Sequence, residues 1–216
     1  MCDIGPMPWG DGVVDVEDLK VQAEYIGKDV DDPSLIAHWA LDEVDGDIAW
    51  ESAAENNGIV SDSATWQPEN DAIGGALHLD GITAYVATPS ILSPADVPFS
   101  ALLWIRGNTL NRVVLSQCAG QNWLAVDPAG ALMTALKGTG RRAKDPYSDV
   151  MVVDDQWHRL GLTWDGTTRS LYVDNALAAS DEPGSLSDLS EGLNIGAGAD
   201  LAPGTFFSGL IDDVRI

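Results

Sequence analysis

The sequence predicts an all-β protein, a two-sheet antiparallel jelly-roll sandwich preceded by a short N-terminal helix. Three observations carry this. From Leu35 onward, short runs rich in Val, Ile, Leu, Trp and Tyr recur roughly every 8–12 residues, the spacing of sandwiches and barrels. The 22 glycines and 11 prolines are spread along the chain and punctuate those runs, as turn residues do. In the longest run Phe99, Ala101, Leu103 and Ile105 alternate with Ser100, Leu102, Trp104 and Arg106, the period of a strand with one buried face. A chain of 216 residues, 45% of them apolar, is long enough to bury one substantial core.

The elements follow in order. Residues 1–32 differ from the rest. Val16, Leu19, Ala23 and Ile26 form one apolar stripe at helical spacing, Asp15 or Asp18 can cap it, and Gly27 can stop it. An acidic linker leads to a domain over 33–216. Strands are expected at 35–41, 75–80, 84–88, 99–106, 112–118, 123–126 and 131–137. The clearest hairpins come next. Residues 157–164 run into Asp165-Gly166, residues 169–173 into Asp174-Asn175, and residues 176–180 follow; Asp-Gly and Asp-Asn tolerate positive φ. Strands at 192–196 and 206–216 close a set of about a dozen.

Charge excludes some partners. With 34 acidic and 11 basic residues, a net of −23, the surface repels a phosphate backbone, so no nucleic-acid partner is expected. No apolar run approaches the length of a membrane span. An acidic surface serves solubility and also suits hard cations such as Ca²⁺. Cys2 and Cys118 allow one bridge at most, and no CxxC metal motif is present.

Several segments together resemble laminin-G-like domains of the concanavalin A-like lectin/glucanase superfamily. They are the opening run Leu35-Ile-Ala-His-Trp-Ala-Leu-Asp-Glu43, then Asp47-Ile-Ala-Trp-Glu-Ser52 with Asn56-Asn57-Gly58, and Gly74-Gly-Ala-Leu-His-Leu-Asp-Gly81 with Ala84-Tyr-Val86. Trp157-His158-Arg159, Trp164-Asp165-Gly166 and Leu171-Tyr-Val-Asp174 fit the central hairpins, and Gly209-Leu-Ile-Asp-Asp-Val-Arg-Ile216 the last strand. The resemblance covers residues 35–216. It implies a non-catalytic recognition or adhesion module, one domain of a larger extracellular or cell-surface protein, whose ligand is a carbohydrate or a surface protein. It also implies a structural calcium joining the first strands to the last, with Asp212 as ligand, Asp42 and Asp80 as its neighbours, and Glu43 and Asp213 in reserve; the bland alternative is that these acids are solvated strand ends. The N-terminal segment resembles a single dockerin or EF-hand-like repeat. If Gly12 is its turn glycine, ligand positions fall on Met7 and Trp9, which offer no side-chain oxygen, so tight calcium binding is not expected there.

Laminarinase-like relatives would imply a glycoside hydrolase, which needs two carboxyl groups about 5 Å apart on one strand. The nearest match, Glu43-Val44-Asp45-Gly46-Asp47, reads as a turn, and residues 99–106 and 159–164 carry no acid. His38, His78 and His158 are isolated from one another, and no G-x-S-x-G is present. The expectation is therefore a non-enzyme, with a hydrolase or lyase domain, or a structural spacer, as alternatives. Aromatic residues can stack on sugars. Alternation leaves Trp104 on the face opposite the core, and Trp66, Trp123 and Tyr147 fall near expected loops. A sugar site is expected around Trp104, Trp123 and Arg106. Trp39, Trp157 and Trp164 read as core. The basic stretch 137–144 could hold an acidic sugar or a sulfate, or be a solvated loop.

Overall fold

A computed structural model describes residues 33–69, 72–138, 146–186 and 191–216. The expected N-terminal helix and the dockerin-like loop, and most of the basic stretch 137–144, lie outside these residues. Among the described residues sixteen strands are formed: β1 (His38–Trp39), β2 (Ile48–Ala49), β3 (Gly58–Val60), β4 (Thr65–Gln67), β5 (Ala76–Asp80), β6 (Val86–Ala87), β7 (Phe99–Gly107), β8 (Val113–Gln117), β9 (Asn122–Val126), β10 (Ala131–Met133), β11 (Tyr147–Met151), β12 (His158–Trp164), β13 (Arg169–Val173), β14 (Ala176–Asp181), β15 (Leu193–Ile195) and β16 (Ser208–Arg215). No helix occurs among the described residues, and so none that could cross a membrane.

The strands make two eight-stranded antiparallel sheets. The front sheet has the order β14-β13-β12-β7-β16-β5-β4, with β1 also paired to β16. The back sheet has the order β11-β10-β9-β8-β15-β6-β3-β2. This is the expected sandwich. Phe99, Ala101, Leu103 and Ile105 of β7 point inward and are at most 6% exposed, as the alternation requires. Leu160, Leu162 and Trp164 of β12 and Ile211 of β16 join them. From the back sheet Leu115, Trp123 and Leu193 close the core. The rings of Phe99 and Trp123 meet across it at 4.9 Å. Burying an indole of that size contributes on the order of 5 kcal/mol of transfer free energy, before entropy is counted.

Local chemistry sets the turns. Asp174 and Asn175 adopt φ of 51° and 67°, the two left-handed residues of a tight hairpin, so β13 and β14 pair from Val173↔Ala176 outward. At 165–168 the Asp165 carboxylate accepts the Thr167 and Thr168 amides. One inward residue of the front sheet is charged. Arg169 is fully buried, donates two bonds to its cross-strand neighbour Asp181 (2.9 and 2.7 Å), and also donates to the Leu136 carbonyl.

The ladders differ from expectation at the edges. β2, β3, β4 and β11 form where no strand was expected. Three of them are only two or three residues long, too short to show a period. The expected strand at 35–41 is laddered at β1, the Ile36 amide and the Ala37 carbonyl also bond Ile216, and Leu41 then turns the chain with a φ of 61°. The expected strand at 131–137 stops after Met133, where the Thr134 hydroxyl takes the Leu136 amide.

Candidate functional site: the outer face of the front sheet

The outer face of the front sheet is built by register. On β12 the outward residues are Arg159, Gly161 and Thr163. Gly161 pairs with Leu102 on one side and Tyr172 on the other. A Cβ at Gly161 would sit 3.0 Å from Leu102 Cδ2 and 3.3 Å from Tyr172 Cβ, so a side chain is missing where two neighbours stand up. The result is a depression of about 250 Å³ lined by Leu102, Arg159, Gly161, Thr163, Tyr172 and Asn175. A second depression of about 250 Å³ lies further along the same face, lined by His78, Arg106, Asn108, Asp155 and Ser208 among others. Trp104 stands between them. It is half-buried, in register with Arg159 on one side and Asp212 on the other.

Hydrogen bonds hold the first depression's rim. Arg159 Nη1 donates to Asn175 Oδ1 (3.1 Å), and the Arg159 amide donates to Asp174 Oδ1 (2.9 Å). The other Asp174 oxygen lies 2.8 Å from His158 Nδ1, while His158 Nε2 lies 3.1 Å from Asp154 Oδ1. Burial works to lower the basicity of this imidazole. The hydrogen bonds and charges of Asp174 and Asp154 outweigh it, and the His158 pKa lies above 6.5.

An acidic corner adjoins Trp104. Between Asp212↔Trp104 and Arg215↔Leu102, β16 carries one extra residue, a β-bulge with Asp213 at φ 50°. Asp212 is fully buried beneath the 72–75 segment: its Oδ2 accepts the Ala72 and Ile73 amides at 2.9 and 2.8 Å. Its Oδ1 is buried with no hydrogen-bond partner among the described residues. Desolvation, opposed by those two amides and reinforced by Asp213 and Asp42, pushes its pKa up to about 6. The Asp42 carboxylate lies against the same segment, since a Cβ at Gly74 would come within 2.8 Å of both its oxygens. Glu43 Oε1 accepts the Trp50 amide (2.7 Å), while Oε2 is buried without a partner among the described residues; burial, then the charge of Asp42, raises its pKa.

The expected residues are thus distributed unevenly. Trp104 and Arg106 share the outer face, with Arg106 tied to Asp155 through its backbone oxygen (3.0 Å) and its carboxylate (3.7 Å). Trp123 does not join them. It sits inside β9 rather than in a loop, is 0% exposed, and belongs to the core on the other side of β7, so it can offer no surface to a sugar. Asp42 and Asp212 lie under one segment, but Asp80 does not reach them. It pairs with Ser208, four residues and roughly 13 Å of strand from Asp212. Its Oδ1 also caps the 81–84 turn by accepting the Ile82, Thr83 and Ala84 amides, which lower its pKa against the effect of burial. Among the described residues no three His, Cys, Asp or Glu converge as a metal cluster. The residues not anticipated are Arg159, Gly161, Tyr172 and Asn175; the 157–180 hairpins, once aligned at Asp174-Asn175, place all four on one face.

One further grouping has the composition of a nucleophilic relay. Ser52 Oγ lies 3.1 Å from His38 Nδ1, and His38 Nε2 lies 2.9 Å from Asp213 Oδ1. Its surroundings do not complete the chemistry. The Ser52 amide is given to the His38 carbonyl, and the Ala53 and Ala54 amides to the Glu51 carboxylate, so none is aimed at a developing oxyanion. Asp213 is also ion-paired to Arg215 (2.8 Å).

Comparison with known proteins places the chain in context. A laminin G family model, described as Concanavalin A-like lectin/glucanases superfamily, matches residues 80–216, more than half of the chain. No curated protein matches it in sequence. Among solved structures, the binding domain of Paraclostridial Mosquitocidal Protein 1 is similar with a TM-score of 0.66 and 12% identity, over 85% of this chain and 48% of that one. Domain 4 of AbnA, a GH43 extracellular arabinanase from Geobacillus stearothermophilus in complex with arabinotriose, gives 0.64 and 18%, over 84% and 91%. Trypanosoma rangeli sialidase gives 0.61 and 14%, over 84% and 30%. The chain therefore spans about half of the first structure, most of the second and under a third of the third. At these identities the likeness is one of fold.

Proposed function

Because the chain belongs to the concanavalin A-like lectin/glucanases superfamily, we propose that it is a non-catalytic carbohydrate-recognition module of a larger extracellular protein. The sugar-binding surface is the outer face of the front sheet. One observation carries the reading: Trp104 stands on an open sheet face between two depressions that combine apolar walls with Arg, Asn, Thr and His side chains. That mixture suits a sugar, whose ring has an apolar face and a polar rim. The arabinanase domain described with arabinotriose supports the ligand class.

A structural calcium belongs to the same reading. Asp212 Oδ1 is a buried carboxylate oxygen in want of a partner, and Asp42 adds a second carboxylate under the 72–75 segment; oxygen donors of this kind suit Ca²⁺. Asp80 is not in the set. Held there, the ion would fix the 72–75 segment against β16, next to Trp104.

A glycan-array screen of the full chain, with calcium and again with a chelator, tests both parts. Glycan binding that falls with the chelator and with Trp104→Ala is expected. Affinity unchanged by Trp104→Ala removes the proposed face, and hydrolysed or eliminated products remove the non-catalytic assignment.

A further inference from the structure

The depression at Gly161 contains a charge the rest of the sheet does not leave uncompensated. In a chain of net charge −23, three of the four front-sheet arginines are paired with aspartates: Arg106 with Asp155, Arg169 with Asp181, and Arg215 with Asp213. Arg159 has no carboxylate partner among the described residues. Its Nη1 is steered by the neutral Asn175 amide oxygen at 3.1 Å, which leaves the Nε–Nη2 edge for another group. That edge is the one with which a guanidinium forms two parallel bonds to a carboxylate.

The walls of the depression narrow the ligand further. Leu102 and Tyr172 flank a floor with no side chain, at Gly161, and Thr163 and Asn175 supply a hydroxyl and an amide. A small acid alone would leave the apolar walls uncovered, and a neutral sugar would leave the guanidinium without a counter-charge. From this geometry we infer that the Gly161 depression is a subsite for a carboxylate-bearing sugar: the ring packs between Leu102 and Tyr172, and its carboxylate takes the Nε–Nη2 edge of Arg159. The inference rests on the sugar-face reading above and adds the chemical class of one sugar unit.

Calorimetric titration of the full chain with oligogalacturonides, alginate fragments and hyaluronan fragments, each beside its carboxyl-reduced neutral counterpart, tests it. For at least one pair the acid binds about tenfold or more tightly than the neutral form, the range of a charge-assisted bond. Arg159→Gln removes the difference between the acid and its neutral counterpart, and Arg159→Lys restores part of it, since a point charge lacks the fork. Binding of neutral sugars with no preference for any acid, or a preference that survives Arg159→Gln, overturns the subsite and leaves the sugar face standing. Binding of no sugar by the wild-type chain overturns both.

Discussion

Replacing Asp212 by Asn isolates the energetic cost of the acidic corner. The carboxyl pKa rises from 3.8 to about 6 on folding, roughly two units, and each unit is worth about 1.36 kcal/mol, so ionised Asp212 costs the folded state about 3 kcal/mol. The sign follows from the direction. The folded state holds the proton more tightly than the unfolded chain, so the benefit is complete below 3.8 and is lost as pH rises through about 6. An Asn oxygen can still accept the Ala72 and Ile73 amides, and its amide nitrogen puts a donor where Oδ1 has no partner, in the field of Asp42. In chelator the variant should therefore be more stable than wild type by up to about 3 kcal/mol at pH ~7.5, with the gap closing towards pH ~4. Urea unfolding of both proteins across that range measures it, and the difference between them cancels carboxylates such as Glu51 and Asp80, whose lowered pKa values act in the opposite sense in both. With calcium the gap should close, since an ion held only by the folded wild type adds about 2.7 kcal/mol at a hundred times its dissociation constant, and the order should invert near a thousand times, where it adds about 4.1 kcal/mol. A variant no more stable than wild type at neutral pH, or a gap that ignores pH, refutes the reasoning.

Other consequences can be measured separately. Gly161→Val fills the depression between Leu102 and Tyr172, and should abolish sugar binding at a stability cost of about 1–3 kcal/mol; retained affinity by calorimetry places the ligand elsewhere. Asp181→Ala removes the carboxylate paired with the buried Arg169 and should cost about 3–5 kcal/mol in urea unfolding, whereas a neutral result would mean that its other partners, the Leu136 carbonyl among them, satisfy the guanidinium. The His158 imidazole should titrate above 6.5 by NMR, and Asp154→Asn and Asp174→Asn should each bring it down. Because this pKa is raised, the stability it contributes is present below about 6.5 and lost as pH rises through the folded-state value; a titration at or below 6.5 would mean that burial, not the two aspartates, dominates.

The long central strands were legible because one face of each is core. β7 and β12 alternate core and outer residues over five or more positions, and the turn residues of the β12–β14 hairpins fix the register. The two- and three-residue strands at the edges left no periodic trace, and their pairing depends on neighbours distant in sequence, such as β3 on β6. The candidate site was half legible for the same reason. Trp104 and Arg106 follow from alternation within one strand. Trp123 lies in a strand buried throughout Trp123–Val126, so alternation could not tell its faces apart. Asp80 and Asp212 diverge in burial and in the backbone amides that fold over them, which are tertiary facts. Gly161 is ordinary in sequence and becomes a site only when Leu102 and Tyr172 flank it.

β16 lies between β7 on one side and both β5 and β1 on the other. During synthesis those three strands leave the ribosome long before their common partner. Until residues 208–215 appear, the front sheet has no middle: β7 and β5 present unpaired edges, and the Asp212 carboxylate that will accept the Ala72 and Ile73 amides does not yet exist. Closure of this sheet is thus a late, long-range event, of the kind that makes β-sandwiches fold slowly and leaves sticky intermediates behind. The 34 acidic residues then acquire a second use, as mutual repulsion between nascent chains whose edges are still waiting for that strand.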